Sequence, residues 1–245
     1  MKTGFRFYYF FLIILFISSC TKDYNIVPEK TDEGLSLKLN INYKVDGFPL
    51  IFDTIMYHNL AGNNYGVTRL EYYISNITFH STSGKDFALK NIFYMNARTP
   101  STNSISIDHV PAGQYTDITL NIGIDSANNK TNSLPNTSEN INMAWPSSMG
   151  GGYHFMKLEG YYVNTPSTTG FTMHLGQNTS LVTCLIQQPF QVSSSTSEIK
   201  LSMNLNEWFC SPIMYDFNAD GNFIMGDMQA MGKITANGID VFTLE

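Results

Sequence analysis

From Leu35 onward the chain alternates: Leu35, Leu37, Leu39, Ile41, Tyr43 and Val45 are separated by Ser36, Lys38, Asn40, Asn42 and Lys44. A period of two over that length predicts a strand with one buried face and one wet face. Asp46-Gly47 ends it as a turn. A second strand region runs from Val67 to Phe79, and its apolar phase slips between Ile74 and Ile77. A slip of one residue is what a β-bulge produces, so a bulge is expected at Ser75-Asn76. Ile105 and Ile107 begin another strand, the turn Val110-Pro111-Ala112-Gly113 interrupts it, and Ile118, Leu120, Ile122 and Ile124 resume the alternation. Tyr153 to Val163 and Phe171 to Leu175 read as two strands joined by a loop over Asn164–Gly170, and Leu181–Ile186 and Ile199–Leu205 complete the set. One helix is expected from Met228 to about Ala236, capped by Asp227 and stopped by Asn237-Gly238. Many short strands with turn signals between them predict an all-β fold, an antiparallel β-sandwich with one short C-terminal helix.

The first residues follow a different logic. Lys2 and Arg6 precede an apolar run from Phe7 to Ile17, and Ser18-Ser19-Cys20 follows it. This order describes a secretory signal peptide over residues 1–19. The run is too short to cross a bilayer of about 30 Å, which takes roughly 20 residues. Ile17-Ser18-Ser19-Cys20 resembles a lipobox, which makes Cys20 the expected lipid-attachment residue and the membrane the expected partner of its acyl chains. Thr21, not an acidic residue, follows the cysteine; by resemblance to lipoprotein sorting rules this favours the outer membrane, with the domain facing periplasm or cell surface. Residues 20–33 read as a polar tether and 34–245 as one domain. Loss of Lys2 and Arg6 with the signal takes the formal charge from −6 to −8, which argues against nucleic acid as a partner.

Enzyme signatures are missing. There is no Gly-x-Ser-x-Gly elbow, no His-Glu-x-x-His, and Gly150-Gly151-Gly152 lacks the Lys-Ser/Thr of a phosphate loop. A non-catalytic protein is therefore expected. After lipidation Cys184 and Cys210 remain; an oxidising envelope favours a disulfide between them, and a pair of soft copper ligands is the rival reading. The histidines are His58, His80, His109, His154 and His174, and His174 has the opposite phase to Met173 and Leu175. If the hairpin turned near Pro166-Ser167, Gly160 would face His174, and His154 would lie roughly 20 Å farther along at about 3.3 Å per residue. That pairing argues against a shared metal unless a third element folds over. Met225, Met228 and Met231 recur every third residue, which suits either a Cu(I) thioether face or a packed helical stripe. Asp216, Asn218, Asp220 and Asp227 fall at positions one, three, five and twelve of a calcium-like loop with Gly221 at six; a turn of Asx residues leading into a capped helix explains the same letters. Residues 126–142 form a long polar loop that leads into Met143-Ala144-Trp145-Pro146, the expected rim of a site.

Several stretches together resemble the MbnP-like domain family. They are Val67-Thr68-Arg69-Leu70-Glu71-Tyr72-Tyr73-Ile74-Ser75-Asn76, Val110-Pro111-Ala112-Gly113-Gln114-Tyr115 and Ile122-Gly123-Ile124-Asp125-Ser126. Met143-Ala144-Trp145, the run from Gly152 to Gly160 and Phe171-Thr172-Met173-His174-Leu175-Gly176 continue the series in order. The resemblance implies an all-β domain and, as in characterised relatives, copper bound by histidines and an oxidised tryptophan. Carried over by position, Trp145 and His174 are the candidates; His154, a third candidate, stands where the family pattern leads one to expect lysine or an apolar residue. Where many relatives carry a Tyr-His-x-x-Asp-like segment this chain reads Ile92-Phe93-Tyr94-Met95-Asn96. The expectation is an envelope lipoprotein that handles or acquires copper, with an outer-membrane transport partner. The alternative is a surface adhesin or glycan-binding module that has kept the fold and lost the metal.

Overall fold

The computed structural model describes Met1 and residues 34–245. Residues 2–33, which carry the expected signal peptide, Cys20 and tether, lie outside the described residues. In chain order the strands are β1 (Leu35–Val45), β2 (Phe48–Pro49), β3 (Tyr57–His58), β4 (Asn64–Ser81), β5 (Phe87–Asn96), β6 (Ser104–Val110) and β7 (Gly113–Ile122). The one-turn helix α1 (Ser138–Asn142) precedes β8 (His154–Asn164), β9 (Ser167–Gly176), β10 (Val182–Ile186), β11 (Phe190–Val192), β12 (Glu198–Asn204), helix α2 (Met228–Asn237) and β13 (Phe242–Leu244). Among the described residues no helix is long and apolar enough to cross a membrane.

The strands form two sheets. The smaller runs β13-β12-β1-β2, with β6 also on β1; the larger runs β10-β7-β4-β8-β9, with β11 on β7 and β3 and β5 on β4. All ladders are antiparallel except β1 with β12. Leu37, Leu39, Ile41 and Val45 of β1 are buried, as the alternation requires. Opposite them, Tyr72, Ile74, Ile77 and Phe79 of β4, Ile118, Leu120 and Ile122 of β7, and Leu158, Met173 and Leu175 of the β8-β9 hairpin supply the core from the larger sheet.

The bulge read from the phase slip in β4 is present. Register shifts between Ser75 and Ile77, and Asn76 takes φ 51°. Asp227 caps α2, its carboxylate accepting from Gln229 N at 2.9 Å and Ala230 N at 3.0 Å. Two expectations change. The long polar segment contains α1, whose first turn is capped by Thr137 accepting from Asn140 N. The expected loop over Asn164–Gly170 is mostly strand: β8 pairs with β9 as far as Asn164 opposite Ser167, which leaves only Thr165-Pro166 as the turn. Ser and Thr tolerate both loop and strand, and here the ladder to β8 decides.

Candidate metal centre

That tighter turn moves the register by three residues. Gly160 faces Phe171, and Lys157 faces His174. A register shift between His154 and Met156 then inserts one more residue, so that His154 stands opposite Gly176. The extra residue reverses the side-chain phase. Phe155 and Met156 are both fully buried toward the core, while His154 comes onto the face that Lys157 and His174 share. The rings of His154 and His174 are consequently 5.1 Å apart, centroid to centroid, at 90°. The 20 Å separation expected from the wider turn is overturned by these two local features.

Trp145 completes the cluster. Its ring lies 4.7 Å from that of His154 at 63°, and it is 2 % exposed. The polar loop holds it there. Trp145 N donates to Gly152 O at 2.9 Å, Trp145 Nε1 to Met149 O at 3.1 Å, and His154 N to Met143 O at 2.6 Å. Gly152 N donates to Thr131 Oγ1 at 3.0 Å and Tyr153 N to Asn129 Oδ1 at 2.9 Å, which tie the strand start to the loop. Gly176 provides the floor: a Cβ there would fall inside the Trp145 ring carbons, so this face of the indole requires glycine. The expected rim is thus a built support, and α1 with its flanks covers the outer face of the larger sheet beside the cluster, through Tyr73 Oη donating to Asn140 Oδ1 at 2.7 Å.

The two histidines are polarised by their partners. His154 Nδ1 is 3.2 Å from Met143 O, and His174 Nε2 is 2.8 Å from Glu159 Oε1. Carbonyl and carboxylate oxygens only accept, so each of these ring nitrogens carries the hydrogen. In a neutral ring this leaves Nε2 of His154 and Nδ1 of His174 with the lone pair. His174 Nδ1 is buried and has no hydrogen-bond partner. Burial pushes His154 down to about 3, with the Lys157 ammonium and His174 adding to the effect, so at neutral pH this imidazole is an uncharged donor. The hydrogen bond from His174, with Arg69 next to it, holds the Glu159 carboxyl below its ordinary range against desolvation.

Sequence patterning did not single out the charged residues around this pair. Arg69 donates to Glu159 at 3.1 Å and to Glu71 at 2.7 Å; Lys157, buried, donates from Nζ to Asn142 O at 2.5 Å. They alternate with apolar residues on β4 and β8, a pattern equally expected of a wet face. Only the register shows that they converge under the loop. Of the departing segment, Phe93 lies opposite Ile74 in the core phase, whereas Asn96 lies opposite Glu71. Phe93 therefore faces away from His154 and His174.

The other candidates stand apart. Cys184 and Cys210 are free thiols and do not form the expected disulfide. Cys184 donates to Gly238 O, just past α2, at 3.2 Å and Cys210 to Glu207 Oε2 at 3.0 Å, so each thiol is engaged with a different acceptor. In the calcium-like loop, Asp220 takes the Lys233 ammonium at 2.5 Å, Asp216 accepts from Asn218 N and Asn63 Nδ2, Asn218 accepts from Tyr162 Oη, and Asp227 is spent on the α2 cap. Met231 is core while Met228 is half exposed, so those thioethers do not present one common face. His58 is bonded to Asn64 and His80 to Asp86 and Thr119. Among the described residues no three His, Cys, Asp or Glu side chains converge as a cage. Zinc takes four ligands, or three and a water, and calcium six to eight oxygens. The two imidazoles beside an indole are the donor set that the fold brings together, and imidazole suits copper among several transition metals.

The fold is thus a β-sandwich with two histidine rings and a tryptophan gathered under a loop. The chain belongs to the MbnP family, whose model matches residues 35–226. The fold is similar to that of MbnP from Methylosinus trichosporium, with a TM-score of 0.55 and 12% identity over 86% of this chain and 98% of that one. No curated protein matches the sequence.

Proposed function

We propose that this protein is an envelope lipoprotein, anchored through Cys20 in the outer membrane, that binds copper through His154 and His174 with Trp145 against the pair. Copper is its cargo, carried for handling or acquisition. The observation that carries the reading is the pair of imidazoles, each tied through one nitrogen to a fixed oxygen acceptor and each keeping the other nitrogen's lone pair. Preorganised imidazoles of fixed tautomer are what a metal site requires of its ligands. The family resemblance points the same way through Trp145 and His174, which stand inside the matching motifs. A glycan-binding reading would call for an exposed row of aromatics, whereas Trp145 is enclosed.

The test is a Cu(I) competition titration of residues 21–245 alongside His154→Ala and His174→Ala. One equivalent held by the wild type and lost or weakened in both variants supports the proposal. No binding by the wild type, or binding unchanged in both variants, removes it.

A further inference from the structure

His174 faces two choices that a histidine in water leaves open: which nitrogen carries the hydrogen, and which way the ring turns. Here both are set from one side. Glu159 stands two residues along β8 from Lys157, the residue that faces His174, and its Oε1 receives the His174 Nε2 hydrogen at 2.8 Å. The same oxygen receives Arg69 NH1 at 3.1 Å, and Arg69 NH2 is held in turn by Glu71 Oε2 at 2.7 Å. A guanidinium bridging two carboxylates from neighbouring strands is a rigid support, since the planar fork is preorganised. Glu159 and Arg69 side chains are each only about a quarter exposed. The carboxylate therefore cannot swing away from His174 without also breaking its ion pair. On the other side of the ring, Nδ1 is buried with no partner, and the His154 ring is perpendicular to it.

We infer that Glu159, braced by Arg69, is a positioning residue that fixes His174 as the Nε2–H tautomer and so makes Nδ1 its metal-binding nitrogen, while Met143 O makes Nε2 the binding nitrogen of His154. This rests on the copper reading for its purpose, but the tautomer itself is a property of the metal-free protein. A neutral imidazole whose Nε2 hydrogen lacked this acceptor would be free to move that hydrogen to Nδ1, where it would meet the incoming metal. Partners of this kind on metal-bound histidines typically change affinity about 10–100-fold when removed.

The experiment is a long-range proton–nitrogen correlation spectrum of metal-free residues 21–245 at about pH 8, where an imidazole is neutral. It is paired with Cu(I) affinity measured on the same samples. Wild type is expected to show His174 as Nε2–H and His154 as Nδ1–H. Glu159→Gln, which keeps an acceptor oxygen, should preserve the His174 tautomer. Glu159→Leu should mix or invert it and weaken Cu(I) binding about 10–100-fold. His174 found as Nδ1–H in wild type, or a tautomer and affinity unchanged in Glu159→Leu, overturns the inference. Correct tautomers with no Cu(I) binding by wild type would sink the copper reading and leave the assignment of Glu159 standing.

Discussion

Acidification from about pH 7 to about pH 5 should destabilise the metal-free protein through His154, because the folded site refuses a proton that the unfolded chain accepts. Its imidazole is pushed from 6.5 down to about 3, by burial first and by Lys157 and His174 after that. The folded pKa is depressed, so below about 6.5 the unfolded chain takes up a proton at this position that the folded chain refuses. The associated stability is therefore present above 6.5 and is lost progressively as pH falls toward 3. At 1.36 kcal/mol per unit, about 1.5 units between 6.5 and pH 5 gives a loss of about 2 kcal/mol. As long as the folded value lies below pH 5, the size of this loss depends on the unfolded value alone. The assay is urea unfolding of residues 21–245 in chelator at the two pH values, beside His154→Asn, whose amide nitrogen takes the place of Nδ1 toward Met143 O but cannot titrate. Wild type should lose about 2 kcal/mol more than the variant between the two conditions. Equal losses in the two proteins would refute the reasoning, because they would mean that His154 protonates freely in the folded state.

Three further outcomes follow from the packing. Gly176→Ala places a methyl in the Trp145 ring and should destabilise by about 1–3 kcal/mol, read by thermal unfolding, with a shift in indole fluorescence from the displaced ring. Asp227→Ala removes the two hydrogen bonds that start α2 and should cost about 1 kcal/mol in urea unfolding, with Asp227→Asn recovering most of it. Thiol labelling of residues 21–245 without reductant should modify both cysteines after denaturation. In the native protein Cys210, pushed up to about 12 by burial and by Glu207, should react slowly, and the fully buried Cys184 should be protected. A disulfide found by mass spectrometry would overturn this last expectation.

How far the sequence carries depends on whether a feature is local. The alternation of β1, the bulge at Asn76 and the cap at Asp227 are each specified within a few residues, and each is where the pattern puts it. The opposite phase of His174 to Met173 and Leu175 was equally legible. The meeting of His154 with His174 was not, because it needs two facts that a single strand does not contain. One is that Ser167–Gly170 joins the ladder, although its Ser, Thr and Gly composition reads as loop. The other is the bulge beside Phe155, which leaves no apolar gap because Phe155 and Met156 are both buried. Trp145 and the long polar loop were visible as neighbours of a site, and the reason is now physical: the loop's Asn and Thr side chains satisfy the backbone that holds the indole. Glu159 and Arg69 carry no such signal, since charge at every second residue holds no information about what faces it across the sheet. The Cys184–Cys210 expectation failed for a related reason. Counting cysteines says nothing about distance, and each thiol has an acceptor in its own neighbourhood.

X-ray absorption of residues 21–245 loaded with one equivalent of Cu(I) tests the central claim most directly. The account predicts a first shell of imidazole nitrogens with the multiple-scattering signature of two rings, which falls to one ring in His174→Ala. A shell containing sulfur would contradict it and move the metal to the methionines or cysteines, and a shell of light atoms without imidazole scattering would contradict it outright.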